Sequence, residues 1–329
     1  MEVINAKYEI IEQGNGIEGI YKAIELPGRI CYNSQDKITE GSAKPFVERL
    51  MRDNHGAPME HGAVYLHVKK SVNMHEWLCP SKESNKFDEM NKFYTDNPYS
   101  KVNIDRAAPY EESTGDEKYD LYDHLYISTN YRVLFENNRL DDLKYICEPT
   151  KYHEKRITVK FTIDRFTGEE FLRHRKGSFN RESTRFINYT KEKNGNGSIK
   201  FILPPWLTDQ KEKICIFNED YYNNLRKDFG NNIVDTWQAI DVWLFTLKTC
   251  EWGYNTLVYK FNWQPQQART VLPCAIDSPL IVTMFVNDWK HFFNLRAIGT
   301  TGAPHPQAKE LAQPLMEEFK DKGLINETI

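Results

Sequence analysis

Arg173-His174-Arg175-Lys176-Gly177-Ser178-Phe179-Asn180-Arg181-Glu182-Ser183-Thr184-Arg185-Phe186 gathers five guanidinium or ammonium groups, one imidazole, three hydroxyls, an amide and a single carboxylate within 14 residues. Each arginine offers donors in a planar fork suited to phosphate or carboxylate. Gly177 lets backbone approach a ligand closely. Ser178, Asn180 and Ser183 interleave uncharged polar groups with the arginines, and Phe179 and Phe186 supply apolar anchors. Most charge runs are solvated faces or turns. The residues alone therefore leave two readings open, an exposed basic turn or a cradle for an anion.

Working outward, residues 157–163 alternate apolar and polar with β-branched enrichment, which predicts a half-buried strand. A helix starting near Asp164 or Thr167 carries Glu169, Glu170, Phe171 and Leu172 into Arg173. On it, Glu169–Arg173 and Glu170–His174 form i,i+4 pairs with acid before base. Its C-terminal end, where the dipole favours cations, delivers Arg173, His174 and Arg175 to a loop.

Toward the N-terminus, a strand is expected at 8–11, a turn at Leu26-Pro27-Gly28 and a short buried element at 29–32. Ser42 suits the N-cap of a helix with Phe46, Val47, Leu50 and Met51 on one face. A strand follows at 63–68. Residues 71–125 read as an insertion of some helix and long polar loops, including the charged run 111–118, with strands resuming at 126–128 and 131–135. Toward the C-terminus, a strand ends at Pro204-Pro205. A helix near 231–251 places Ile233, Trp237, Ile240, Leu244 and Leu247 on a core stripe, and helices cover 264–271, 288–296 and 307–319. This order predicts an α+β fold, a mostly antiparallel central sheet flanked by helices, in one domain over 1–329.

Composition narrows the class. A net charge of −4 makes the basic segment a local feature on a mildly acidic body, which suits a small anion better than nucleic acid. Cys31, Cys79, Cys147, Cys215, Cys250 and Cys274 have no metal-ligand spacing and read as reduced, mostly buried thiols of a cytoplasmic protein. The first residues lack a secretory signal pattern, and no apolar run is long enough to span a membrane. His55, His61 and His67 invite a metal reading, but their spacing spreads them over a loop and a strand with no completing ligand, so no metal is expected.

Several of these residues carry a resemblance. Arg173-His174-Arg175, seven residues and Ser183 resemble the RHRx7S signature of the flavin-dependent thymidylate synthases, the ThyX family. Glu182-Ser183-Thr184-Arg185 with Asn188-Tyr189, Gly56-Ala57-Pro58-Met59-Glu60-His61, Ala268-Arg269-Thr270-Val271-Leu272-Pro273 and the His291-to-Arg296 segment are similar to further family motifs in the right order. The likeness spans residues 29–315, with 71–156 outside it.

The resemblance implies reductive methylation of dUMP to dTMP, with 5,10-methylenetetrahydrofolate as carbon donor and FAD, reduced by NADPH, as hydride carrier. It also implies a homotetramer with sites at subunit interfaces. His55, Glu60, His61, Arg173, His174, Arg175, Asn287 and His291 would surround FAD. Arg173, Arg181, Glu182, Ser183, Thr184, Arg185, Arg269 and Arg296 would surround dUMP. Ser183 tempts a nucleophile reading with His174 nearby, yet hydride donation by reduced flavin removes the need for a covalent adduct. Ser183 is then a ligand contact, and Arg296 stabilises charge developing on the uracil ring. Four positions depart from the family pattern: Ala57 replaces a hydroxyl residue, Arg181 a Gln or Glu, and Phe285 and Asn287 an Asn and an Arg. Two rivals remain: a flavoprotein modifying another pyrimidine nucleotide, such as a hydroxymethylating relative, and a nucleic-acid binder without enzymatic activity.

Overall fold

Nine strands fall into three sheets in a computed structural model that describes residues 1–72, 81–109 and 121–326. The strands are β1 Glu2–Asn5, β2 Lys7–Ile11, β3 Ala63–Ser71, β4 Lys101–Pro109, β5 Leu121–Asn130, β6 Arg156–Thr162, β7 Ser178–Arg181, β8 Lys200–Leu203 and β9 Leu280–Phe285. The central sheet, β2-β6-β9-β7, is antiparallel throughout. A second antiparallel sheet has the order β3-β5-β4, and β1 pairs with β8 in parallel. The α+β, mostly antiparallel expectation holds.

The helices are α1 Gly16–Cys31, α2 Ala43–Arg52, α3 Lys82–Asp96, α4 Tyr131–Glu136, α5 Arg165–Phe171, α6 Lys211–Ile216, α7 Glu219–Gly230, α8 Ala239–Tyr259, α9 Pro265–Ala268, α10 Val286–Phe293 and α11 Pro306–Asp321. One apolar core lies between the central sheet and α10–α11, where Val159, Phe161, Val282 and Met284 meet Trp289, Phe292, Leu315 and Phe319. Another joins α1, α2 and α3 to β3 and β5 through Ile24, Phe46, Leu50, Leu66, Phe87, Met90 and Ile127. No helix among the described residues is long and apolar enough to cross a membrane.

Several local expectations are corrected. Leu26-Pro27-Gly28 is no turn: α1 runs through it to Cys31. Pro27 forfeits one helical hydrogen bond, but Gly28 lets α2 approach so closely that an added Cβ would stand 2.6 Å from two Phe46 ring atoms. Ser42 does precede α2, yet its hydroxyl donates to Glu25 and Thr39 and makes no cap bond to the helix. The polar run 81–86 opens α3, because Ser81 accepts from the Ser84 N–H at 3.1 Å and Phe87, Met90 and Tyr94 share the buried face. The described part of 71–125 is therefore a helix and a sheet, whereas the run 111–118 lies outside the described residues. Residues 131–135 are helical. Asn130 caps α4 by accepting from Val133, and burial of Tyr131, Val133 and Leu134 overrides their strand preference. The stripe on α8 keeps Ile240, Leu244 and Leu247 but loses Ile233, half exposed, and Trp237, because Asn232 takes a positive φ of 60° and the helix starts at a Gln238–Asp241 capping box.

Candidate functional site

Helix α5 ends where the basic segment begins. Asp164 fixes its start by accepting from the Thr167 N–H at 3.0 Å and from the Thr167 hydroxyl. After α5 the chain turns and enters β7, the edge strand of the central sheet, so the middle of the segment, Ser178–Arg181, is strand, and the chain returns to loop and turn from Glu182 to Phe186. Strand alternation buries Ser178 and Asn180 on one face and turns Phe179 and Arg181 to the other. Gly177 serves packing here: an added Cβ would lie 2.7 Å from Phe179 and 2.9 Å from Met284.

The expected pairs Glu169–Arg173 and Glu170–His174 do not form, because α5 stops at Phe171 and arginines from distant segments arrive instead. Glu169 binds Arg181 Nη2 at 2.5 Å. Glu170 Oε2 binds Arg296 Nη1 at 2.6 Å, and the Glu170 carbonyl accepts from Arg296 Nη2 at 2.7 Å. Two adjacent carboxylates thus organise two arginine groups.

Around Glu170 lies the first wall. Arg296 occupies a single π-turn, Asn294–Ile298, a distortion that often marks functional positions. Its Nε donates to His174 Nε2 at 3.2 Å. All three Arg296 nitrogens are engaged, so in this geometry Arg296 braces the wall and presents no free fork. His174 is buried, and its Nδ1 has no partner among the described residues. Burial, then the charge of Arg296, then His291, hold the His174 pKa down to about 4, which keeps the ring neutral. His291 meets it edge-on with centroids 5.7 Å apart. Arg173 and Arg175 are exposed and have no ion pair among the described residues. An unpartnered buried donor beside two free guanidiniums fits a cofactor that joins a polar ring to phosphates.

Around Glu169 lies the second wall. Thr184 is buried with its hydroxyl 3.4 Å from Arg269 Nη1. Arg185 is exposed, donates to Gln266 at 3.3 Å and lies over the Phe186 ring. Phe186, expected as an anchor, is 57% exposed and leans on Tyr32. Ser183 is held by its N–H to the Cys31 carbonyl at 3.1 Å, and no hydrogen bond joins it to a histidine among the described residues. Glu182 turns to Tyr189, whose hydroxyl donates to it at 3.0 Å. Burial first, then the nearby Asp277 carboxylate, push Glu182 up to about 7, and burial raises Asp277 to about 6.

The 55–61 stretch packs against β7 and β9. His61 is fully buried with Nδ1 2.7 Å from Thr283 Oγ1, and burial followed by Arg156 lowers its pKa to about 3. Glu60 pairs with Arg132 at 2.5 Å. Arg156, which the motifs do not include, donates to the Glu60 carbonyl at 2.7 Å and to the Ser178 hydroxyl at 3.0 Å, tying this loop to the start of β7. Its sequence signal is weak: one arginine opening a β-branched strand. Phe285 is buried beneath it, with Arg156 5.4 Å above the ring. Asn287 is exposed, its N–H directed to Glu154. His55 lines a cleft of about 450 Å³ with Arg29, Lys37, Arg49, Tyr32 and Phe46. His67 lies apart on the second sheet, stacked on Tyr126 at 4.6 Å, so the three histidines do not converge. Among the described residues no group of three His, Cys, Asp or Glu side chains could hold a metal.

Cys79 lies outside the described residues, and two of the other thiols are inert by environment. Burial pushes Cys31 and Cys147 up to about 11, far from a thiolate nucleophile at neutral pH. They are less buried than expected, since Cys31, Cys147, Cys250 and Cys274 are half-buried and Cys215 is exposed.

The family model of the thymidylate synthase complementing proteins, Thy1, matches residues 153–322, just over half of the chain and the part that carries both walls. The chain belongs to this family. The resemblance read from the motifs is thereby borne out, and the stretch before residue 153, with the second sheet and the 55–61 loop, lies outside the matched range. No curated protein matches the sequence. Among solved structures, a UMP/dUMP methylase, PolB, from Streptomyces cacaoi bound with 5-Br dUMP aligns at a TM-score of 0.39 and 15% identity, covering 98% of this chain and 93% of that one. The same protein bound with 5-Br UMP aligns at 0.38 and 14%, covering 97% and 91%.

Proposed function

We propose that this Thy1-family chain is a flavin-dependent thymidylate synthase that methylates dUMP to dTMP, using 5,10-methylenetetrahydrofolate as carbon donor and FAD reduced by NADPH. The observation that carries the reading is the pair of arginine walls set apart by Glu169 and Glu170 within the family-matched range. FAD, when bound, supplies the hydride chemistry that no side chain can provide. Arg173 and Arg175 hold its phosphates, and His174, neutral and donating from Nδ1, orients it with His291 alongside. Thr184, Arg185 and Arg269 bind the phosphate of dUMP, with Arg181 beside them. Arg296, braced by Glu170 and His174, keeps the floor of the first wall rigid, and exchanging one of those contacts frees it to stabilise charge on the uracil ring. No thiolate or serine nucleophile is required. We further propose a single domain over 1–329, assembled as a cytoplasmic homotetramer whose sites lie between subunits.

The test is direct. Purified protein supplied with FAD should show flavin absorption near about 450 nm, and with dUMP, methylenetetrahydrofolate and NADPH it should form dTMP. Arg173→Ala should lose retained flavin while its circular dichroism matches the wild type. Absence of dTMP in the complete mixture would sink the proposed activity, and unchanged flavin retention in Arg173→Ala would remove that residue from the cofactor wall.

A further inference from the structure

A cavity of about 390 Å³ opens at the seam between the central sheet and the second sheet, and none of its lining residues belongs to either arginine wall. The end of β2 with the turn after it, the start of β3, residues 146–149, the start of β6 and the residues after α11 meet there. Ile11, Ile20, Ala63, Ile146, Ile157 and Leu324 give it an apolar lining. Its volume lies in the range of small-molecule sites. Much of the lining precedes residue 153 and so falls outside the family-matched range.

Two buried polar residues, Tyr65 and Arg156, interrupt the apolar lining. The Tyr65 hydroxyl accepts from the Arg156 N–H at 2.9 Å, and among the described residues no group accepts from that hydroxyl in turn. Of the half-buried polar residues, Gln13 is engaged with the Ala63 N–H and carbonyl, and Thr158 with Thr283. Arg156 directs its guanidinium to neutral acceptors, the Glu60 carbonyl and the Ser178 hydroxyl, and forms no ion pair with a carboxylate among the described residues. Burial, the largest influence, pushes the Arg156 pKa down to about 10, with Tyr65, Glu60 and Asp288 opposing, so the group stays charged at neutral pH. A buried cation without a counter-ion is costly, and in a low-dielectric setting its field favours an anion in the adjoining space. The charges at the mouth, Glu12, Glu148, Lys155 and Lys322, are exposed and two of each sign, so water screens them and they decide little.

We propose that this cavity binds a small organic monoanion, a carboxylate carried on an apolar body, with its charge set toward Arg156 and the Tyr65 hydroxyl. That hydroxyl supplies a donor that a carboxylate oxygen accepts. One buried cation answers one negative charge, so a dianionic phosphate carries too much charge for the site. An apolar lining of this extent gives a bare inorganic ion nothing to bury. The site is separate from the two arginine walls and does not depend on the proposed function.

The experiment is calorimetric binding to the full-length protein with three probes: 1-naphthoate, the neutral 1-naphthylmethanol, and acetate. Wild type is compared with Ile146→Trp, which fills the cavity from a half-buried position, with Tyr65→Phe, which removes the free donor, and with the exposed Arg226→Ala on α7, each checked for native circular dichroism. Wild type should bind naphthoate at least about tenfold more tightly than the alcohol or acetate, the value of one charge-assisted hydrogen bond. Ile146→Trp and Tyr65→Phe should each lose about tenfold in naphthoate affinity, and Arg226→Ala should match wild type. Naphthoate binding should persist with FAD and dUMP present. No naphthoate binding to wild type overturns the inference, and so does equal binding of the alcohol or of acetate. Wild-type affinity in Ile146→Trp or in natively folded Tyr65→Phe also overturns it, as does displacement of naphthoate by FAD or dUMP. Should Tyr65→Phe lose its native circular dichroism, Ile146→Trp and the probe series decide.

Discussion

Glu169 and Glu170 are neighbours on one helix, yet each answers an arginine from a distant segment. Sequence spacing offers each a partner four residues on, but those positions lie beyond the helix end, so the local pairs have no geometry in which to form. Glu182 makes a similar point through burial. A carboxylate raised to about 7 beside Asp277 at about 6 is held protonated in the fold over a range where the unfolded chain is ionised. Between about pH 4.5 and 7 the native state therefore binds more protons than the unfolded one. The stability these groups contribute is present at low pH and is lost as pH rises through about 7. Glu182→Gln removes the Glu182 share, so its urea midpoint, compared with wild type, should move upward between about pH 5 and about pH 7.5. A difference that is the same at both pH values would show that Glu182 is not perturbed in this way.

Pro27-Gly28 shows how packing between helices overrules a local signal. The pair reads as a turn, but α1 continues through it because the missing side chain at Gly28 lets the Phe46 ring of α2 lie flush, with Arg29 and Arg49 stacked over that ring at 4.5 and 5.0 Å. Gly28→Ala would gain helix propensity of about 1 kcal/mol, yet the added methyl must displace a buried aromatic ring. Overpacking of this kind costs about 1–3 kcal/mol, so net destabilisation is expected, read as a lower urea midpoint. A midpoint above wild type would mean that the helices separate without loss. The same logic explains α4, which reads as a strand from its residues and is a helix because Asn130 caps it and the core takes its apolar face.

The segment outside the family match is tied to the rest where His61 meets Thr283, Arg156 donates to the Glu60 carbonyl and β2 pairs with β6, and it also holds itself together. Asp142, 1% exposed, accepts from the Tyr94 hydroxyl at 3.0 Å, Lys86 at 2.7 Å and Arg139 at 3.1 Å, linking α3 to the turn Leu140–Tyr145. The apolar side chains of α3 share a core with α1 and α2. If the chain is one domain, Asp142→Ala should lower the midpoint of a single unfolding transition, by about 3 kcal/mol. That is the lower end for breaking a buried pair, because Lys86 keeps part of its side chain in water. Two separate transitions, with the mutation affecting one, would refute the single-domain proposal.

What could be read from residues alone was whatever depends on short spacing. The strand before Asp164, the helix after it, the apolar face of α2, the helix at α11, and the motif order leading to the family all rest on periodicities of two or 3.6 and on fixed intervals between charged groups. The tertiary structure decided which charges meet. Arg296 with Glu170 and His174, Arg181 with Glu169 across Gly168, and Arg156 between Glu60 and Ser178 join segments 12 to more than 100 residues apart. Their partners follow from sheet register and helix packing, because a guanidinium pairs with whichever carboxylate its backbone brings into forked geometry. The chain's own order therefore marks the basic segment as special, and the fold divides it into two walls.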